Sequence, residues 1–273
     1  MDAPIRIWHQ GFIEMQTVPA YGPALERHLA AILAPGTTVA LHGLRPGTYA
    51  PHSTPAEITR YAAVMDLHKQ QLLDNVRRAE QEGFDAVAIA ILQNPALREA
   101  KTLVDIPVAG YGEAAMHLAC LLGDRFAVLA FNPDLLALVQ AQVAEYGLER
   151  HAGPLVEIEV DYAAVRRAFE EPGPLLEAFQ VAARTAIAQG ADVLIPGQTI
   201  LAEVLWQNGL FRVEDAPVLD ALAAAVTTAE TLARLRRASG LTVTRRGYFW
   251  RRPPAALFED ALRQYRRLPG GDA

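Results

Sequence analysis

GFDAVAIAILQNPALREAKTLVDIPVAGYGEA, residues 83–114, sets a buried strand, a polar break, a short helix and a second strand one after another with little slack. Val87-Ala-Ile-Ala-Ile91 is an unbroken run of alanines and β-branched residues, the composition of a parallel strand covered on both faces, and Gln93-Asn94-Pro95 stops it. In open α/β sheets ligands gather at the carboxyl ends of strands. Gln93 and Asn94 are therefore candidates to meet a small molecule.

The stretch has a second copy. Gly83-Phe-Asp-Ala-Val87 returns 107 positions later as Gly190-Ala-Asp-Val-Leu194, and Ile91 and Gln198 each stand eight residues after their glycine. Each copy runs on to a similar step, Ile106-Pro107-Val108 in the first and Ala216-Pro217-Val218 in the second, followed by an alanine-rich helix. This repetition predicts two similar halves facing each other across a cleft, with one strand end from each contributing to it. A chance likeness between two βα units is the alternative.

The 273 residues suffice for two domains of ordinary size, and 51% hydrophobic content with a mean hydropathy of +0.10 implies a packed globular protein. A net charge of −6 offers no general attraction to nucleic acid or anionic lipid. The single cysteine, Cys120, excludes an internal disulfide and a cysteine-rich zinc site, and fits a cytoplasmic, reducing setting. The N-terminal MDAPIRIWHQG has no basic and apolar segments of a secretory signal, and the apolar stretches on either side of Gly123-Asp124-Arg125 are too short to span a bilayer. No metal, cofactor, membrane or nucleic-acid partner is expected; a small-molecule substrate and a homo-oligomer are.

Ile5-Arg6-Ile7-Trp8 reads as the first strand, with His9 and Gln10 at its end predicted to face the cleft beside Asn94. His9 also fits a histidine satisfied by a backbone carbonyl. Residues 23–33 read as a helix and 37–41 as the second strand. The loop from His42 to His52 then puts Tyr49 and His52 in position to close over a ligand, or merely to decorate the surface. Ser53-Thr54-Pro55-Ala56-Glu57 is a capped helix start, and one long helix is expected from it to Glu82. Gly112-Glu113 opens a helix whose free N–H groups favour an anion such as a carboxylate, although Glu113 is equally a dipole-compensating residue. Further on, Phe126 to Phe131, Val156 to Val160 and Val193 to Pro196 read as strands, and residues 175–189 as a helix. The third of these strands delivers Gln198 and Thr199, so amides from both copies converge on one polar substrate. The ten arginines from Arg234 onward, interleaved with Tyr248, Phe249 and Trp250, suit a solvated face or a subunit contact better than a nucleic-acid patch in an acidic chain.

Taken together, Gly83-Phe-Asp-Ala-Val, Asn94-Pro-Ala-Leu, Val104-Asp-Ile-Pro-Val-Ala-Gly-Tyr-Gly-Glu-Ala, Gly190-Ala-Asp-Val, Pro217-Val-Leu-Asp and Thr244-Arg-Arg-Gly-Tyr248 resemble the aspartate/glutamate/hydantoin racemase superfamily, most nearly its hydantoin racemase branch. The resemblance implies an α/β protein of two pseudo-symmetric three-layer halves with mainly parallel sheets. The first half would comprise 1–112 with 222–273 and the second 113–221, the C-terminal helix returning to the first. It also implies cofactor-free racemisation by two opposed cysteines, which belong at Ile91 and Gln198. Neither is present, and Cys120 lies away from both positions. Two-thiol proton transfer is therefore excluded, and single-cysteine decarboxylation with it. The readings left are a cysteine-independent enzyme acting on a small carboxylate, amide or imide by hydrolysis, elimination or isomerisation, a non-catalytic ligand-binding protein, and a nucleic-acid partner. In the first, His9 acts as base and Asn94 and Gln198 polarise a carbonyl, with Gln10, Tyr49, His52, Gln93, Glu113 and Thr199 binding the substrate.

Overall fold

The computed structural model describes residues 4–50 and 53–267. The chain opens with β1 (Ile5–Gln10), α1 (Tyr21–Ile32), β2 (Thr37–His42), α2 (Pro55–Ile58), α3 (Ala62–Gln81), β3 (Ala86–Ile89), α4 (Leu97–Leu103), β4 (Val108–Gly110) and α5 (Tyr111–Ala119). It continues with β5 (Phe126–Ala130), α6 (Pro133–Tyr146), β6 (Ala152–Glu157), α7 (Tyr162–Arg167), α8 (Gly173–Ala188), β7 (Val193–Pro196), α9 (Thr199–Gln207), β8 (Arg212–Val213), β9 (Ala216–Pro217), α10 (Ala221–Ser239) and α11 (Ala255–Arg267). Two parallel sheets result, in the orders β2-β1-β3-β4 and β6-β5-β7, beside a short antiparallel pair of β8 and β9.

The alternation along β3 explains its neighbours. Ala86 and Ala88 face a core shared with Ala224, Ala225 and Ala229 of α10, where small residues let helix and sheet approach, whereas Val87 and Ile89 face Leu72 and Val76 of α3. The first of these cores also takes Phe126 and Val128 of β5 and Val193 and Ile195 of β7, so α1, α5 and α10 form a layer between the two sheets. Leu175 and Phe179 of α8 cover the far side of the second sheet.

The internal copies share their contacts as well as their residues. Gly83 and Gly190 both adopt positive φ, at 74° and 89°. The aspartate two positions after each binds the entry of the neighbouring strand: Asp85 Oδ2 accepts from Arg6 N at 2.9 Å, and Asp192 Oδ2 from Arg125 N at 2.9 Å. Arg6 and Arg125 in turn donate to backbone carbonyls at the two glycine turns. Val108 pairs with Val87, and Val218 bridges to Leu194 in the same parallel sense.

Two sequence expectations are corrected. The helix expected from 53 to Glu82 is two helices, broken at Thr59–Tyr61, where Thr59 Oγ1 donates back to the Pro55 and Ala56 carbonyls and Tyr61 is extended. The strand expected at 156–160 lies earlier, at Ala152–Glu157, in register with β5. The arginine-rich region is held largely within the chain. Arg234 meets Glu230, Arg237 meets Asp85, Arg252 meets Glu80 and Arg266 meets Asp74, while Arg245 donates to the Lys101 and Val104 carbonyls that end α4. No helix among the described residues is long and apolar enough to cross a membrane.

Candidate functional site

A cleft opens where the carboxyl ends of β1 and β3 meet those of β5 and β7, with an empty volume of about 770 Å3 including its mouth. Ile91 and Gln198, the paired positions of the two copies, both line it. The two halves are joined directly: at the cleft lining Thr199 Oγ1 donates to the Ala90 carbonyl at 2.7 Å, and in the buried interior Tyr111 Oη donates to the Pro196 carbonyl at 2.8 Å. Phe12, Ile13, Leu135, Phe131 and Tyr162 make the walls mostly apolar. Among the described residues, no carboxylate, amine, guanidinium, imidazole or thiol lines the cleft.

The polar groups at the lining are hydroxyls and amides. Burial, reinforced by the Glu203 carboxylate, pushes the Tyr21 phenol well up, and burial raises that of Tyr162, so both stay neutral donors at ordinary pH. Gln198 is the extended residue preceding α9, makes no cap bond, and has both amide atoms shielded from water without a hydrogen-bond partner. An unpaired buried amide costs on the order of 1–3 kcal/mol, so Gln198 is a destabilising group in the free chain. The N-terminus of α9 adds backbone N–H groups beside it.

Several sequence candidates sit elsewhere. His9 is fully buried below the cleft, on the Ile5 and Ile7 face of β1, and neither ring nitrogen has a partner. Burial, reinforced by the His42 imidazole, lowers its pKa to about 4, so it is a neutral buried group that does not line the cleft. Gln10 points to the opposite face, where Oε1 accepts from Trp8 Nε1 and Asn75 Nδ2 at 3.0 Å each and Nε2 donates to the Gly11 carbonyl. The expectation that His9 and Gln10 face the cleft beside Asn94 is thus corrected.

Asn94 adopts φ 47° and spends its amide internally, accepting from Gly112 N at 3.1 Å and donating to Tyr146 Oη at 2.8 Å. That contact occupies an N–H at the start of α5 where a carboxylate was expected to dock, and Glu113 is paired with Lys101 at 2.6 Å. Asn94 and Glu113 line a separate polar groove that shares Gln93 with the cleft. Tyr49 is pinned behind Phe12, its hydroxyl on the Phe12 carbonyl and its N–H on Glu14 Oε1, and His52 lies outside the described residues. Gln93, Gln198 and Thr199 are the candidates that the structure does bring together at the cleft.

The sequence reading missed Tyr21, the wall formed by Pro55, Ala56 and Thr59, and Asn132. Asn132-Pro133 was readable as a strand end opening a helix, the same kind of position as Gln93-Asn94; nothing local marked the others.

The profile of the Asp/Glu/hydantoin racemase family matches residues 11–229. The chain belongs to that family. A hydantoin racemase from Rhizobium meliloti is 28% identical over 186 residues, 67% of this chain and 73% of the relative. A hydantoin racemase from Paenarthrobacter aurescens is 30% identical over 166 residues, 60% of this chain and 68% of the relative. The solved allantoin racemase from Klebsiella pneumoniae superposes with a TM-score of 0.74 at 25% identity, covering 91% of this chain and 94% of its own. These relatives are enzymes by name, and the allantoin racemase shares the fold just described.

Proposed function

We propose that the cleft takes a small uncharged amide or imide and that its chemistry is done without a thiol. The observation that carries this reading is the pair of positions lining the cleft at the strand ends: Ile91 offers only a hydrocarbon surface, and Gln198 an unpartnered amide. An amide N–H donates to a carbonyl and polarises it, but neither residue removes a proton from carbon at a useful rate. Hydrolysis, elimination or isomerisation would then draw its proton transfers from water or from the substrate, assisted by the Tyr21 and Tyr162 hydroxyls. The uncharged lining favours amides and imides over dicarboxylates, because a buried carboxylate without a cationic partner is costly.

Non-catalytic binding is the second reading, favoured by the absence, among described lining residues, of a group that ionises near neutrality. Calorimetric titration with hydantoins, cyclic imides and dicarboxylates, each followed by product analysis, tests both. Binding of imides with product formation is the expected result. Binding without product selects the second reading, and binding of dicarboxylates alone contradicts the uncharged amide or imide ligand.

A further inference from the structure

Three contacts tie the segment around α2 to the start of α6 in the other half. Asn132 Nδ2 donates to the Ala56 carbonyl at 3.2 Å and reaches Thr59 Oγ1 at 3.5 Å, and Arg60 Nε meets Asp134 Oδ2 at 2.6 Å. The ion pair is half exposed on both sides and is worth little. Asn132, by contrast, is 5% exposed, and its Oδ1 accepts from Asp134 N at 3.2 Å, capping α6 with one end of the amide while the other end holds α2. Pro55, Ala56, Thr59 and Asn132 all line the cleft. The break between α2 and α3 falls at the residues so held, which leaves α2 a four-residue piece that could not keep its place alone.

We infer that Asn132 is a positioning residue that sets the width of the cleft, and thereby the size of ligand admitted, by fixing the α2 wall across the two halves. The inference rests on the reading of the cleft as a ligand site. Its cap and its latch are separable because an aspartate or serine still caps a helix, but aspartate has no Nδ2 donor and serine is too short to reach Ala56.

Hydrogen exchange followed by mass spectrometry on wild type, Asn132→Asp and Asn132→Ser provides the test, with affinities measured for unsubstituted hydantoin and for bulky 5-substituted hydantoins. Both variants are expected to speed exchange across residues 53–61 by about tenfold while the first turn of α6 stays as in wild type. Both are also expected to shift the affinity ratio toward the bulky ligands by about fivefold. Exchange and ratio unchanged in both variants would overturn the proposal, as would an effect confined to Asn132→Asp, which assigns it to repulsion from Asp134. If no ligand binds wild type, the reading of the cleft fails on its own, and the exchange measurement still judges whether Asn132 holds the wall.

Discussion

Gln198 pairs a stability cost with the binding role proposed for it. Its buried amide has no partner in the chain, so Gln198→Leu, of similar volume and apolar, is expected to raise the free protein's stability by about 1 kcal/mol. The same change should weaken a bound imide by about tenfold, the worth of one hydrogen bond. Thermal unfolding and calorimetric titration of the one variant check both signs, and a destabilised variant with unchanged affinity would contradict the assignment. Cys120 stands at the other extreme. It ends α5, its Sγ lies 3.2 Å from the Met116 carbonyl, and burial pushes its thiol up, so alkylating reagents and Cys120→Ala are expected to leave binding and any turnover as they are. At this scale the sequence was partly readable: glycine spacing placed Ile91 and Gln198 correctly. It failed at His9 and Gln10 because a strand end sends adjacent side chains to opposite faces, and the face that meets the cleft depends on which helices cover the sheet.

The turn after β3 is built on contacts that only glycine permits. A Cβ on Gly112 would stand 2.3 Å from the Leu92 carbonyl, a backbone atom that cannot step aside. Gly112→Ala is accordingly expected to cost about 2–3 kcal/mol and lower the unfolding midpoint by several degrees, and a loss below 0.5 kcal/mol would contradict this packing. The split between α2 and α3 shows why element boundaries were less readable than element types. Thr54-Pro55-Ala56-Glu57 is a capping box and reads as a helix start. What ends that helix is Thr59 together with Asn132, 73 positions further on, a partner that no local pattern announces. The arginine-rich region was opaque for the same reason, since Asp74, Glu80, Asp85 and Asp105 are remote in sequence from the arginines they hold.

The two halves are joined at a partly buried triad as well as at the cleft lining. His28 of α1 bonds Glu203 of α9 through Nδ1 at 2.8 Å and Asp220, which caps α10, through Nε2 at 2.6 Å, while its ring stacks on Trp206. Burial alone would lower the imidazole's pKa, but the bonds to Asp220 and Glu203 and their charges outweigh it and raise the value from 6.5 to about 9. A raised folded-state pKa contributes stability that is complete below the unfolded value and is lost as pH climbs through the folded one. Thermal midpoints should therefore fall between pH 6.5 and 9, and His28→Gln should flatten that slope; a wild-type slope as flat as the variant's would contradict it. The two-half architecture was the most readable feature of the chain, because Gly83, Asp85 and Val108 recur as Gly190, Asp192 and Val218 in similar contacts. The reaction was the least, because the positions where the resemblance puts thiols carry Ile91 and Gln198. Proton magnetic resonance of a 5-substituted hydantoin in deuterated buffer, with the protein present at a concentration that saturates the ligand, tests that point most directly. The account predicts bound ligand with no exchange of the C5 proton above the buffer rate, and C5 deuteration accelerated by the protein would contradict it.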